Sequence, residues 1–199
     1  VTITGDGTGA TGTANVVNGS INDISVDTTG TNYTFANVSI TSAIGSGAVA
    51  VGDGAGYNYQ SSDAIAIGTN AGNDTQGSNA IAIGNTSGFS QQGSYAIAIG
   101  YAPAQVNQGD NSIAIGTTSG ANYQASNSIA IGSQAGYNTQ YVNAIAIGQN
   151  AGSYNQQRKA IARGTQRGET GQQQQSIARG QKAGAEGQQK KSRAMGTQS

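Results

Sequence analysis

Ala64-Ile65-Ala66-Ile67-Gly68 decides how this chain folds. The same five residues return at 80–84, 96–100 and 144–148, and Ser-Ile-Ala-Ile-Gly stands at 112–116 and 128–132. The closing glycines fall at Gly52, Gly68, Gly84, Gly100, Gly116, Gly132, Gly148, Gly164, Gly180 and Gly196, so every step is 16 residues with no insertion or deletion. Self-similarity at a fixed period marks a solenoid. Each unit is too small to bury its own apolar residues, and stacked units bury them together.

Outward from the glycine, each unit keeps a fixed grammar. Three and one residues before it sit β-branched apolar residues: Ile65 and Ile67, Ile81 and Ile83, Ile97 and Ile99, Ile113 and Ile115, Ile129 and Ile131, Ile145 and Ile147. A spacing of two puts both members on one face of a strand. These isoleucines are expected to point inward and stack as a continuous apolar core column. On that reading Ile115→Asp would stop the array from folding. Between them stands alanine in every unit, at Ala66, Ala82, Ala98, Ala114, Ala130 and Ala146 among others. A face that is always small predicts close packing against another copy of the chain, so these alanines are assigned to subunit packing in a threefold bundle.

Four residues after the closing glycine comes a second one, replaced only at Ala104. Eight after it comes Gln in nine units, from Gln60 to Gln188. Each coil is therefore read as an Ile-Ala-Ile strand, a glycine corner, a shorter polar strand ending in Gln, and a Gly/Ser/Asn corner. Stacked at roughly 4.8 Å, ten coils make a rod about 45–50 Å long. The glutamines are expected to form a hydrogen-bonded amide ladder along the axis. A row of ligand-binding amides would instead need the column to face water.

Composition agrees with a repeat and excludes much else. The 199 residues hold 32 Gly, one Pro and no Cys, His or Trp. Such a polar, Gly-rich chain could be disordered, but disorder does not need an isoleucine at a fixed phase. No apolar run is long enough for a membrane span, and no signal peptide is present. The chain opens on Val1, in mid-motif and without Met, and is read as a piece of a longer polypeptide. Its net charge of zero hides an asymmetry: residues 1–157 carry seven acids and no Lys or Arg, whereas residues 158–199 carry nine bases against two acids, a net of +7.

Residues 1–47 form a separate β-rich module. Val1-Thr2-Ile3-Thr4 recurs as Val38-Ser39-Ile40-Thr41. Two β-type runs, 13–17 and 20–26, flank Asn18-Gly19, a strong hairpin signal because a type I′ turn needs positive φ at both central residues. A second turn is read at Gly30-Thr31-Asn32-Tyr33. The module resembles a repeat of bacteriophage structural and tail-fibre proteins, and reads as the end of an array of such repeats. Residues 48–199 are the ten-repeat solenoid, basic from 158 onward.

The Ser/Ala-Ile-Ala-Ile-Gly units, with their intervening Ala-Gly and Gln-Gly-Ser segments, resemble the head repeats of trimeric autotransporter adhesins. Similar repeats occur in phage and in algal or giant-virus fibre proteins. The resemblance covers residues 48 to about 157. It implies a left-handed parallel β-roll, trimeric, displayed on a surface and used for attachment. The uniform 16-residue period differs from the usually shorter adhesin repeats, and the adhesin stalk and anchor are not in this chain.

The last coils depart from the grammar. Arg163 and Arg179 replace the second isoleucine, Arg193 the first, Met195 the second, and Arg167 a small corner residue. An unpaired buried guanidinium costs several kcal/mol. Three readings stand: an open end whose arginines reach solvent or a partner's carboxylates, a loosened or axis-paired end, or residue identities that are imperfect there.

Catalytic chemistry is not expected. Without His or Cys there is no Ser-His-Asp or Cys-His constellation and no ordinary transition-metal site. The seven aspartates fall at different repeat phases and so do not stack, and Gly5-Asp6-Gly7-Thr8-Gly9 lacks the Gly-Lys-Ser/Thr ending of a phosphate loop. No cofactor or metal is implied. The basic end is Gln-rich with no interleaved aromatics, which argues against nucleic acid. Tyr57, Tyr59, Tyr123 and Tyr137, set among Asn, Gln, Ser and Thr, are the candidate glycan-binding residues, since Tyr can stack on a sugar and hydrogen-bond to it.

The reading is an all-β protein: a parallel β-roll or β-solenoid of 16-residue coils, trimeric or a higher filament, with a short N-terminal β-rich module. Its expected role is a structural and adhesive fibre segment on a virus particle or extracellular filament, spacing or presenting a receptor-binding end. The alternative is a bacterial surface adhesin head that binds host glycans or matrix through exposed Tyr, Asn and Gln columns.

Overall fold

The computed structural model describes residues 2–5, 7–17, 20–32, 36–39, 45–166, 171–181 and 189–195. The chain divides into two compact units, Val1–Ala43 and Ile44–Ser199. Among the described residues every regular element is a β-strand and there is no helix, hence none long and apolar enough to cross a membrane, which leaves open any crossing by strands.

In the first unit, β1 (Thr2–Gly5) pairs antiparallel with β4 (Ala36–Ser39), Thr2 opposite Ser39 and Ile3 opposite Val38. The two similar segments of the sequence are thus partners. β2 (Thr11–Val17) and β3 (Ser20–Thr28) form an antiparallel hairpin closed at the Val17–Ser20 pair, with irregular register between Thr11 and Gly12 and between Asn15 and Val16. The Asn18-Gly19 turn itself lies outside the described residues.

The second unit is a solenoid of two parallel sheets. The isoleucine sheet has ten strands, from Val49–Val51 to Arg193–Met195, each paired in register with the strand 16 residues on: Ile97 with Ile113, Ala98 with Ala114, Ile99 with Ile115. The glutamine sheet has seven, from Asn58–Gln60 to Tyr154–Gln156. Each coil from Val49–Val51 to Ile145–Ile147 contributes one strand to each sheet, the last three contribute one to the isoleucine sheet alone among the described residues, and the ladder bonds link neighbouring coils. Ile113 N donates to Ser128 O at 2.9 Å, and Gly116 N to Ile99 O at 2.8 Å.

The corners need left-handed backbone. The closing glycines have φ near +120°, such as +125° at Gly116, where an added Cβ would stand 2.9 Å from the Gly132 carbonyl group. The sequence does not announce three further left-handed positions along the coils: two residues after the closing glycine, as at Asn70 and Thr118, five before it, as at Asn79 and Asn127, and at the centre of the glutamine strands, where Thr75, Gln91, Asn107, Tyr123 and Thr139 have φ between 54° and 58°. A non-glycine residue there costs about 1–2 kcal/mol. The glutamine strand bulges, and pairing skips its central residue: Val106 faces Asn122 and Gln108 faces Gln124.

The inside of the coil reverses the expected assignment of faces. Ala66, Ala82, Ala98, Ala114, Ala130 and Ala146 are all 0% exposed and form the core. They do not pack subunits. The intervening isoleucines, read as the core column, lie on the outer face of the same sheet and are half-buried, with Ile67 at 38% and Ile147 at 36% exposure. The physical reason is the thinness of the roll. A two-sheet coil this narrow leaves room for methyl groups on one side and one long side chain from the other, and glutamine supplies it. Gln76, Gln140, Gln156 and Gln172 are 0% exposed.

Each glutamine ties its coil together. Gln76 Nε2 donates to Ile65 O across the interior at 2.8 Å and to Ala80 O at 3.3 Å. From Gln108 onward the amides also join along the axis: Gln108 to Gln124, Gln124 to Gln140, Gln140 to Gln156 and Gln156 to Gln172, at 3.0–3.3 Å. The ladder reading holds for these coils, while the oxygens of Gln60, Gln76, Gln92 and Gln108 have no partner. Ser112 and Ser128 sit at the inward position otherwise taken by alanine, and donate to the Gly109 and Ala125 carbonyls.

Candidate interaction surfaces

Two faces of the solenoid carry its recognisable chemistry. The first is the outer face of the isoleucine sheet. Strict register aligns its side chains in two columns along the axis, one running through Ile65, Ile81, Ile97, Ile113, Ile129 and Ile145, the other through Ile67, Ile83, Ile99, Ile115, Ile131 and Ile147. Each isoleucine is partly covered by its column neighbours. The backbone beneath them is already committed to the ladder, so this face offers apolar side chains and no free strand edge along its length.

The columns change character towards the C-terminal coils. Arg163 pairs with Ile147 on one side and Arg179 on the other, and Arg193 and Met195 follow Ile177 and Arg179. Because this face points outward, Arg163, Arg179 and Arg193 are exposed and the cost of a buried guanidinium does not arise. Arg193 lies 3.7 Å from the Met195 sulfur. Arg167 lies outside the described residues.

The second face is the outside of the glutamine sheet, whose strands carry Tyr59, Tyr123 and Tyr154. Tyr59 and Tyr123 occupy the left-handed centres of their strands and are 75% and 59% exposed, and Tyr57 is 58% exposed. Tyr137 differs: it is half-buried and packs edge-to-face against Tyr154, with ring centroids 6.1 Å apart. The four do not converge on one site. Tyr57 and Tyr59 lie at the first coil, and Tyr123 and Tyr137 four to five coils on. Tyr123 lines a groove with Gln91, Asn107, Ser126 and Val142.

Comparison with protein-family models, with curated proteins and with solved structures finds no match to this chain.

Proposed function

We propose that this chain is a structural segment of a surface fibre. Its solenoids associate side by side through the isoleucine columns into a homotrimer, which spaces or presents a receptor-binding end on a virion or an extracellular filament. The observation that carries this reading is the reversal of faces. Alanine and glutamine fill most of the interior of each coil, so the isoleucines are not needed to fold one chain and remain an apolar stripe of two columns from Ile65 to Ile147. Contiguous exposed apolar surface of this kind marks an interaction site.

Cyclic assembly about an axis parallel to the stack of coils fits the stripe, because it runs the isoleucine columns of every chain in the same direction. The resemblance to adhesin head repeats supports three chains. With its two sheets saturated coil by coil, such a rod is suited to mechanical work. Sedimentation equilibrium tests the reading. A particle of three times 19.8 kDa is expected, and a monomer at micromolar concentration would rule it out.

A further inference from the structure

On the outside of the glutamine sheet lies a groove of about 360 Å³. Gln91, Asn107 and Tyr123 enter it from the centres of three consecutive strands, since the register places Asn107 beside Tyr123 and Gln91 beside Asn107. Ser126 and Val142 enter from the next corner, and Gly109 and Ala125 come from the position between the two rows. The groove exists because that intermediate position is small in these coils. In the following coil it is Tyr141, which is 40% exposed.

Four properties define what the groove accepts. None of its nine lining residues is charged. The side chains of Gln91, Asn107, Tyr123 and Ser126 make no hydrogen bond to any other described residue, unlike Asn58, Asn73 and Thr139, which are held by neighbours. They leave amide and hydroxyl groups uncommitted within a lining whose accessible surface is mainly apolar and includes one aromatic ring. The backbone of the floor is spent, with Gly109 N bonded to Gln124 O and Ala125 N to Gln140 O, so an added peptide strand finds no ladder. The volume is at the lower end of small-ligand sites.

We infer that this groove binds a neutral sugar, one pyranose ring stacking on Tyr123 while its hydroxyls bond to the amides of Asn107 and Gln91. An uncharged polyol with an apolar ring face matches an uncharged amide cluster beside an aromatic platform. The site belongs to a single chain and lies on the sheet opposite the isoleucine columns, so it stays open when those columns are covered.

The test is saturation-transfer NMR on the full chain with a panel of neutral methyl glycosides of hexoses and N-acetylhexosamines, alongside sialylated and sulfated glycans. At least one neutral glycoside should receive saturation. Tyr123→Ala should weaken it roughly tenfold. Ala125→Tyr, which fills the groove with the residue the next coil already tolerates, should abolish binding without changing the thermal midpoint. Tyr59→Ala should leave binding unchanged. Sedimentation of the same samples separates loss of the site from loss of assembly. Silence across the neutral panel, preference for the charged glycans, or binding that survives both Tyr123→Ala and Ala125→Tyr would overturn the proposal.

Discussion

Gln140 Nε2 donates to Gln156 Oε1 one coil along at 3.0 Å, and to the Ile129 carbonyl across its own coil at 2.8 Å. One side chain thus links two sheets and two coils, within a core otherwise made mostly of alanine and serine. A polar interior is stable here because its donors are satisfied, and a partly satisfied one is costly.

Gln140→Leu should therefore destabilise the solenoid although it adds apolar volume. It removes the donors to Ile129 O, Ala144 O and Gln156 Oε1, and the acceptor for Gln124 Nε2. Ala144 O keeps Ile129 N and Gln124 Nε2 keeps Ile113 O, but Gln156 Oε1 loses its donor inside the coil, which costs about 1–3 kcal/mol. Denaturant unfolding should show a midpoint well below that of the parent; equal midpoints would mean the ladder contributes nothing net.

Two glycines four residues apart should respond very differently to alanine. At Gly116 the new Cβ would meet the Gly132 backbone, with φ at +125°. At Gly120, φ is +52° and the nearest atom is a side-chain amide oxygen, that of Gln124, rather than backbone. Ala104 already occupies the position equivalent to Gly120, with φ of 46°. Gly120→Ala should cost roughly 1 kcal/mol, the usual price of a left-handed alanine. Gly116→Ala should prevent closure of the array, seen as lost β-type circular dichroism. Similar behaviour of the two variants would contradict the corner geometry.

The paired change Arg163→Ile and Arg179→Ile restores the second isoleucine column across two more coils. If that column is where chains meet, the variant should assemble more tightly and melt several degrees higher. An unchanged or lower melting temperature would place the chain contact elsewhere.

The 16-residue period, the two strands per coil and the glycine corners could all be read from spacing alone, because a strand's alternation and a corner's need for glycine are local. Ala66 and Ile67 show where local reading ends. Alternation says they face opposite ways, but which way is inward depends on the width of the coil, set by Gln76 reaching across to Ile65 O. The usual rule of large apolar residues inside gave the wrong sign, since the isoleucines have no room in so thin a roll. The left-handed centre at Tyr123 was hidden for a related reason: a strand-like Asn-Tyr-Gln does not reveal a bulge. The groove did leave a signal, the small residues Gly109 and Ala125 preceding Tyr141 at one phase, but only the register shows that this phase lies beside Tyr123.

Adjacent residues on opposite faces test the central claim. Ala114 is 0% exposed inside the coil and Ile115 points outward. Ala114→Asp should destroy the fold, since an uncompensated interior charge costs several kcal/mol.

Sedimentation equilibrium of Ile115→Asp, read with its far-ultraviolet circular dichroism, is the most direct measurement. The account predicts a folded β-rich monomer where the parent is a trimer. An unfolded Ile115→Asp, or a parent that is already monomeric, would contradict it.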